Sequence, residues 1–379
     1  MKLSFNKVDL SNAIQIVQSS ISTKSTLPVL SNLLIKVDKS SKIQKVKIEA
    51  TDLEVGIRCS VKAEVIEEGK ITVPAKKLGE IVREMPDNSE IEISSTDGKR
   101  IEIKSGKIRA QLNGLSCDDF PIIPEFSEKK SFKLNKSVIR DMIRKTSFAT
   151  STDETRYVLN GIYFVISGGE IKMVATDGRR LAYISKEGAE KSLASNVIIP
   201  SKAISELLRL LSLSDDGKED QIQIAPSENQ IIFSWINQGE EIVLVSRIID
   251  GTFPNYDQVI PKGKEVELKV RTDQILPAIK RAALFAQERG GSVRMSFKKN
   301  LLRLSANAQG LGEEEEELEI SYDGKEFEIA FNPTFLLDVL KNSDGPEIRF
   351  EFSSSLNPGL IKPGGNDQYL CVIMPMRLQ

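Results

Sequence analysis

Two aspartates stand where predicted strands end, and carboxylates in such positions could serve a metal-dependent reaction. Asp52 closes the segment Ala50-Thr51-Asp52-Leu53, and Asp177 closes Ala175-Thr176-Asp177-Gly178. Carboxylates can hold the metal ions of a nuclease, but Asp also caps tight turns with its own side chain. Because the two aspartates occupy equivalent positions of a repeated segment, we favour the turn-capping role. A metal-dependent nuclease is the enzymatic alternative.

The composition removes most other catalytic chemistry. The 379 residues include no histidine, which excludes Ser-His-Asp and Cys-His catalysis and HExxH zinc sites. The sequence also has no P-loop, dinucleotide-binding or GxSxG motif. Cys59, Cys117 and Cys371 are scattered without a CxxC pair, which indicates a reducing compartment and neither a disulfide framework nor a zinc cluster. We therefore expect a protein that is not an enzyme and carries no metal or cofactor.

The overall balance of residues predicts a soluble, cytoplasmic protein. Apolar residues make up 40% of the chain and charged residues 28%, which is typical of globular domains. The first seven residues lack the apolar segment of a secretory signal, and no apolar run approaches the length of a membrane span. We expect no membrane partner, and the length suggests two or three domains.

The chain repeats one unit about three times. Asp52 and Asp177 lie 125 residues apart, and the Phe-Pro pairs that begin at Phe120 and Phe253 lie 133 residues apart. A spacing of this size divides the chain into three similar domains. We predict their boundaries as 1–128, 129–256 and 257–379.

Each repeat has the pattern of an α+β unit. It opens with an alternating strand and an amphipathic helix, and a second helix follows later, at or near a proline in each case. The predicted helices cover Asp9–Ser20, Ala75–Met85, Lys136–Ser147, Lys202–Leu213, Thr272–Arg289 and Pro333–Asn342. Short alternating strands fill the remainder, as in half-buried antiparallel sheets. The predicted fold class is α+β, with two helices on antiparallel sheet in each repeat.

Positive charge is concentrated on the predicted helices. The six predicted helices carry a net charge of +6 when the first is extended to Lys24 and the second to Pro86, although the whole chain has −2. Lys and Arg favour helices, but Glu favours them equally and is used less here. A basic helical layer suits a polyanion on the helix side. Since no aromatic or base-reading motif accompanies it, we expect weak, salt-dependent backbone contacts with nucleic acid.

The end of the chain is unusually apolar. Tyr369–Ile373 reads as a strand, and Met374-Pro375-Met376 leaves it because proline lacks a backbone donor. Chain ends are normally polar unless something holds them. One interpretation is an edge strand whose tail fills its own core. The other is a wall of a docking pocket for proteins, for which the adaptable Met side chains are suited.

Several motifs resemble those of one family along the whole chain. They are Thr26–Leu34, Thr72–Lys77, Arg156–Gly161, Val174–Leu181, Phe253–Tyr256 and Val372–Leu378. In this order they are similar to the bacterial sliding clamps, the β subunits of the replicative DNA polymerase III. The terminal Met-Pro-Met-Arg-Leu together with Ala-Thr-Asp-Gly-x-Arg-Leu is specific for that family.

The resemblance implies a ring-shaped homodimer of six clamp domains, with helices lining the hole and sheets outside. Such a ring encircles double-stranded DNA without reading its sequence and tethers the polymerase as a processivity factor. The implied partners are the DNA polymerase III alpha subunit, the clamp loader, other DNA polymerases and repair proteins. A scaffold that never touches DNA is the non-enzymatic alternative.

The resemblance also implies a pocket that takes a short peptide bearing Gln, Leu and Phe. A peptide anchor of five or six residues would bind at around micromolar Kd, roughly 8 kcal/mol. The implied pocket residues are Leu159, Thr176, Gly178, Arg179, Arg180, Leu181, Pro254, Gln258, Val259, Val372, Ile373, Met374, Pro375, Met376, Arg377 and Leu378. Arg179 stands where the family commonly has His, and Gln258 where it commonly has a basic residue.

Two further surfaces follow from the same resemblance. The implied DNA contacts are Lys24, Lys76, Lys77, Asp153, Arg156, Tyr157 and Val158. The implied subunit interface pairs Ala110 and Leu112 of the first domain with Leu284 and Phe285 of the third. Asp153 is an unusual residue to face phosphate, and Ala110 stands where a large aromatic side chain is common.

Overall fold

The computed structural model describes residues 1–22, 26–38, 45–127, 131–213, 220–286, 291–308, 310–364 and 368–377. The pairings between its named strands are antiparallel in both halves of the chain. The helices of the described part are α1 Lys7–Val17, α2 Ala75–Glu84, α3 Lys136–Thr146, α4 Ser201–Ser212, α5 Thr272–Ala286 and α6 Pro333–Lys341.

The strands of the described part fall into three groups that follow the repeats. The first group is β1 Lys2–Asn6, β2 Asn32–Asp38, β3 Lys45–Thr51, β4 Val55–Lys62, β5 Glu64–Glu67, β6 Lys70–Pro74, β7 Glu90–Ser94, β8 Arg100–Ser105 and β9 Ile108–Asn113. The second is β10 Phe132–Asn135, β11 Gly161–Ser167, β12 Glu170–Thr176, β13 Arg180–Glu187, β14 Ser195–Pro200, β15 Gln221–Pro226, β16 Gln230–Asn237 and β17 Glu240–Arg247. The third is β18 Val266–Arg271, β19 Val293–Lys298, β20 Leu301–Ala308, β21 Gly312–Glu319, β22 Phe327–Phe331, β23 Glu347–Phe352, β24 Gly359–Pro363 and β25 Tyr369–Ile373.

Two of the helices, α1 and α6, begin at a side-chain cap and bury one apolar face. The Asn6 side chain accepts a hydrogen bond from Val8 N at the start of α1, and the Asn332 side chain accepts one from Thr334 N at the start of α6. An asparagine at this position satisfies a helical N–H group that has no other partner. All six predicted helices are confirmed to within two residues at their starts, and residues 287–289 of the fifth predicted helix lie outside the described part.

The contacts divide the chain into two compact units. The first unit contains Met1–Ile139 and Lys202–Ile248. Its larger sheet has eight strands in the order β10-β15-β16-β17-β4-β3-β2-β6, and its smaller sheet has the order β5-β1-β7-β8-β9. The strand β9 is therefore an edge strand.

The second unit contains Arg140–Ser201 and Ile249–Gln379. Its eight-stranded sheet has the order β14-β11-β12-β13-β25-β24-β23-β18, and a four-stranded sheet has the order β21-β20-β19-β22. An aromatic cluster fills its core, with Phe352 next to Phe297, Phe327, Phe331 and Phe350 at centroid distances of 5.5–6.1 Å. The strand β21 is an edge strand in this unit.

The compact units do not coincide with the sequence repeats, because each large sheet joins strands of two successive repeats. In the first unit β4 pairs with β17, and in the second β13 pairs with β25. In these two pairings, strands of successive repeats become neighbours in one sheet.

The interpretation of Tyr369–Ile373 as an edge strand was wrong. The strand has the predicted bounds, but it lies inside the sheet between β13 and β24. Pro375 follows the strand and does not interrupt it, so β25 keeps its donors and can pair on both sides.

Candidate partner-docking groove and DNA-facing residues

The candidate docking groove, which is the set of residues predicted for the peptide pocket, gathers around the turn between β12 and β13. Asp177 Oδ1 accepts hydrogen bonds from Arg179 N at 2.8 Å and Arg180 N at 3.0 Å. Gly178 has a φ of +86°, which this turn requires and which glycine adopts without strain. Thr176 completes the turn, since its hydroxyl donates to Arg180 O at 2.6 Å and accepts from Gly178 N at 3.1 Å.

The first repeat has the same turn. Asp52 Oδ1 accepts hydrogen bonds from Glu54 N at 3.0 Å and from Val55 N at 2.9 Å. The turn-capping role expected for both aspartates is confirmed. In the described part of the chain, no group of three or more His, Cys, Asp or Glu residues is arranged to hold a metal ion.

The end of the chain lies along this turn. Leu181 is paired with Val372 and Arg180 with Ile373. Beyond the strand, Met374 N donates to Arg179 O at 2.8 Å, and Met376 N donates to Ala330 O at 2.7 Å. The Met-Pro-Met segment is therefore fixed on both sides by backbone hydrogen bonds.

An apolar floor lies beneath the turn and the end of the chain. One buried cluster comprises Leu159, Val174, Leu181, Ile198, Phe253, Leu360, Leu370 and Val372. It brings together three residues of the predicted pocket, Leu159, Leu181 and Val372, from segments far apart in sequence. Ile373 is fully buried in the same strand.

Other predicted pocket residues form an exposed rim. Met374 is 44% exposed and Val259 48%. Gly178, Arg179, Pro254, Gln258 and Arg377 are exposed, and Thr176, Pro375 and Met376 are half-buried. Leu378 lies outside the described residues.

Arg180 differs from the other predicted pocket residues because its guanidinium already donates hydrogen bonds to three groups of the same chain. Its Nε donates to Asp177 Oδ2 at 3.0 Å, its Nη1 to Asp338 Oδ2 at 2.5 Å and its Nη2 to Phe148 O at 2.5 Å. The ring of Phe335 lies 4.5 Å from its central carbon. Arg180 thus ties the turn to α6, whereas no hydrogen bond or ion pair within the described part of the chain engages the Arg179 side chain.

Sequence reasoning missed the aromatic residues behind the floor. Tyr163 stacks on Phe253 with centroids 4.8 Å apart, and Tyr256 lies 6.3 Å from Tyr163 and 5.9 Å from Tyr183. Burial, and secondarily the nearby Asp257 carboxylate, raises the pKa of Tyr256. Strand periodicity could have found Tyr183, because it lies two residues after Leu181 and therefore on the same face.

The predicted DNA contacts occupy two separate places in the chain. Lys76 and Lys77 are exposed on α2 of the first unit, and Lys77 pairs with Glu80 at 2.7 Å. Arg156, Tyr157 and Val158 belong to the 3-10 helix Glu154–Leu159 of the second unit. Lys24 lies outside the described residues.

Asp153 caps that 3-10 helix. Its carboxylate accepts hydrogen bonds from the Thr155 hydroxyl at 2.6 Å, Thr155 N at 3.0 Å and Arg156 Nε at 3.0 Å. These bonds, led by the one from the Thr155 hydroxyl, hold the pKa of Asp153 below its usual value. The Arg156 guanidinium also donates to Asp177 O at 2.9 Å, so it links this helix to the groove turn.

The predicted interface residues lie on or next to two of the sheet edges, β9 and β21. Ala110 and Leu112 are half-buried on the edge strand β9. Leu284 is 67% exposed near the end of α5, and the neighbouring Phe285 ring lies against Gly312 at the start of β21.

Three repeated α+β units, joined by continuous antiparallel sheets, define the class of protein as a clamp-type one. Family models of the DNA polymerase III beta subunit match the chain at residues 1–124 for the N-terminal domain, 133–255 for the central domain and 257–377 for the C-terminal domain. The chain therefore belongs to the DNA polymerase III beta subunit family.

Individual relatives agree with this assignment over the full length. The chain is 35% identical to the beta sliding clamp of Chlamydia muridarum, with 100% of the chain and 99% of the relative covered. The solved DNA polymerase III beta subunit of Pseudomonas aeruginosa matches with a TM-score of 0.91 at 34% identity, and the sliding clamp of Bacillus subtilis with 0.92 at 29%. Both structural matches cover 100% of each chain. As a member of this family the chain is a DNA sliding clamp and not an enzyme. In the described residues, no helix has the length and apolar character needed to span a membrane.

Proposed function

We propose that two copies of the chain close head to tail into a ring around duplex DNA and hold polymerases there through the docking groove. The observation that carries this proposal is the way successive repeats are joined. In both junctions within the chain, the strand that follows the turn of one repeat pairs with the last strand of the next repeat, as β4 with β17 and β13 with β25.

The two junctions share one register. Val55 and Arg180 each stand three residues after the aspartate of their turn, and they lie opposite Ser246 and Ile373. If the third repeat follows the same rule, its post-turn strand β21 needs the last strand of a first repeat, which is β9. Both strands are sheet edges with unpaired backbone groups, and such edges readily accept another strand.

The charges of the two edges support pairing between them. The strand β21 contains five consecutive glutamates, Glu313–Glu317. The strand β9 and the turn before it carry exposed Lys107 and Arg109. Opposite charges favour contact between β9 and β21, whereas two copies of β21 repel each other. Such a heterologous contact closes into a ring when two are made.

Apolar residues accompany both edges. Leu284 is 67% exposed, Leu311 63% and Ile108 43%. We place Leu284 and Phe285 of one copy against Ala110 and Leu112 of the other. Burial of exposed leucines on this scale gives the interface a hydrophobic component beside its charges.

The ring would hold DNA by topology and not by tight binding. Two copies contribute twelve helices, and helix axes pack about 8–10 Å apart. If these helices line the hole, its diameter is about 30 Å, wide enough for a duplex with water. Basic side chains such as Lys24, Lys76, Lys77 and Arg156 would then make weak phosphate contacts that permit sliding.

The groove supplies the partner site. Its apolar floor of Leu159, Leu181 and Val372 and its rim of Met374 and Val259 suit a short peptide with Leu and Phe anchors. Exposed Arg179 and Arg377 at the rim favour an acidic or carbonyl-rich peptide. The proposed partners are the polymerase alpha subunit, the clamp loader, other polymerases and repair proteins.

We retain two further expectations as proposals. The proposed domains are 1–128, 129–256 and 257–379. The family-model matches support these boundaries, because one match ends at 124 and the next begins at 133, and that match ends at 255 before the last begins at 257. The location is the bacterial cytoplasm, where replication takes place and where Cys59, Cys117 and Cys371 would remain reduced.

Retention on circular DNA tests the function. The protein, loaded by a bacterial clamp loader on a nicked circle, should stay bound in buffer of high ionic strength and should be released when the circle is cut once. The scaffold alternative requires equal, weak retention on both DNAs. Cleavage of either DNA by the pure protein with a divalent metal ion would favour the nuclease.

A further inference from the structure

A cavity of about 210 Å³ lies in the first unit, within the part of the chain that the structure describes. It is bounded by α1, by the end of β4 and by the hairpin of β16 and β17. The proposed clamp function does not use it. Its apolar walls include Ala13, Ile16, Cys59 and Ile242.

The second unit has a corresponding place that is filled. Cys59 stands seven residues after Asp52 and lies opposite Ile242, and Ile184 stands seven residues after Asp177 and lies opposite Tyr369. Tyr369 is only 3% exposed. The Lys145 ammonium lies 5.5 Å from the centroid of its ring.

Four residues that line the cavity are smaller than their counterparts in the second unit. Ile242 and Cys59 replace Tyr369 and Ile184, as the paired strands show. On the helices, Ala13 and Ile16 stand seven and ten residues after Asn6, and Met142 and Lys145 stand seven and ten residues after Asn135. At each of these four positions the larger side chain belongs to the second unit. The first unit therefore has neither the aromatic ring of Tyr369 nor the ammonium group of Lys145 at this place.

The cavity also presents one unsatisfied hydrogen-bond acceptor and one carboxylate. Among the described residues, the buried Asn237 Oδ1 has no hydrogen-bond partner. The Glu240 carboxylate accepts from the Ser60 hydroxyl at 3.1 Å and forms long ion pairs with Lys45 at 3.8 Å and with Lys62, which also lines the cavity, at 3.9 Å. A buried acceptor without a donor is unfavourable, so a ligand that brings N–H donors would be stabilised here.

We infer that this cavity binds a small aromatic amine. The aromatic ring would take the space that the Tyr369 ring fills in the second unit, and the ammonium would donate to Asn237 Oδ1 and the Glu240 carboxylate. The volume is sufficient, because a cavity of about 150 Å³ accommodates benzene. Such a ligand would contact both β4 and β17 and would stabilise the junction of the first two repeats.

Tyramine is the probe, and p-cresol is its uncharged counterpart. Titration of the full-length protein, followed by isothermal calorimetry and by NMR of the ligand, should show tyramine binding that saturates at millimolar concentration or below. Ile242→Tyr supplies the missing ring and should abolish that binding, whereas Ile242→Val keeps the cavity open and should bind like the wild type. Ala13→Met fills the cavity from the helix side and replaces Ile242→Tyr if that variant does not fold.

The charge of Glu240 is tested separately. Glu240→Gln should weaken tyramine binding about tenfold and leave p-cresol binding unchanged, because only tyramine carries an ammonium. The inference is overturned if the wild type does not bind tyramine at 10 mM, roughly the limit of weak specific binding. It is also overturned if the folded filled variants bind tyramine as the wild type does.

Discussion

Two neighbouring arginines of the groove illustrate how position, and not residue type, determines a role. Arg180 is held by Asp177, Asp338 and the Phe148 carbonyl, and its guanidinium is covered by Phe335. Arg179 is exposed at the rim. Arg180 therefore positions the turn, and Arg179 is available to a bound peptide. A sequence motif alone does not distinguish them, because the partners of Arg180 come from distant segments.

Substitution of each arginine separates these roles. Arg180→Gln breaks a largely buried ion pair with Asp338, whose carboxylate is 28% exposed, and should lower the free energy of unfolding by about 2 kcal/mol. Arg179→Gln should leave that free energy within about 0.5 kcal/mol of the wild type. Urea unfolding measures both, and calorimetry with a Gln/Leu/Phe peptide should show weaker binding for each variant.

The assignment of Arg180 fails if its substitution leaves stability unchanged and weakens peptide binding alone. In that case its guanidinium would contact the peptide directly. Phe148→Leu keeps the accepting backbone carbonyl and removes only the ring that lies 5.5 Å from the Arg180 guanidinium carbon, so it should destabilise the chain less than Arg180→Gln does.

At the scale of elements, the local sequence predicted where helices and strands begin, but it did not predict which strands pair. Helix starts were predictable because Asn6, Asn332 and Pro333 mark them, and Tyr369–Ile373 was correct in its bounds. The pairing of β25 with β13 was not predictable, because no short-range pattern records which strand of another repeat lies alongside. The same reason explains why the aromatic residues Tyr163 and Tyr256 were missed.

The two sheet edges allow a test by charge exchange. Glu313→Lys with Glu315→Lys should weaken dimerisation at least about tenfold, because lysines then face the basic β9 edge. Adding Lys107→Glu and Arg109→Glu to the same chain should restore the dimer. Sedimentation velocity measures both states.

A matched pair of surface changes serves as the control for that experiment. Glu190→Lys with Glu228→Lys makes the same change of net charge at exposed positions outside β9 and β21 and should leave the dimer intact. The edge assignment is wrong if this control dissociates to the same extent, or if the four-residue exchange remains monomeric although folded.

At the scale of the whole molecule, weak contacts with phosphate and closure of the proposed ring should affect different steps, loading and retention. Basic residues on the helices should affect how readily DNA enters the ring, because phosphate attraction assists encounter. They should affect retention on a closed circle much less. The net charge of the chain is −2 and therefore does not reveal that basic residues are concentrated on the helices.

Reversal of charge on α2 tests that separation. Lys76→Glu with Lys77→Glu should slow loading onto nicked circular DNA and leave the lifetime of the loaded clamp nearly unchanged. Lys191→Glu with Lys325→Glu, at exposed positions outside the helices, should load at the wild-type rate. Equal loading by both variants would remove Lys76 and Lys77 from the DNA-facing surface.

The interior position of β25 has a consequence for damaged or shortened chains. A cut in the segment that follows residue 256 would separate the third repeat from β13, whose backbone donors and acceptors are normally satisfied by β25. The remaining fragment would then present β13 as an unpaired edge of eight residues with the apolar run Leu181–Ile184, and such exposed edges promote aggregation. Proteolytic loss of the third repeat would therefore give an aggregating fragment and not a smaller functional protein. Cellular proteases would then remove the whole chain and not only the damaged repeat.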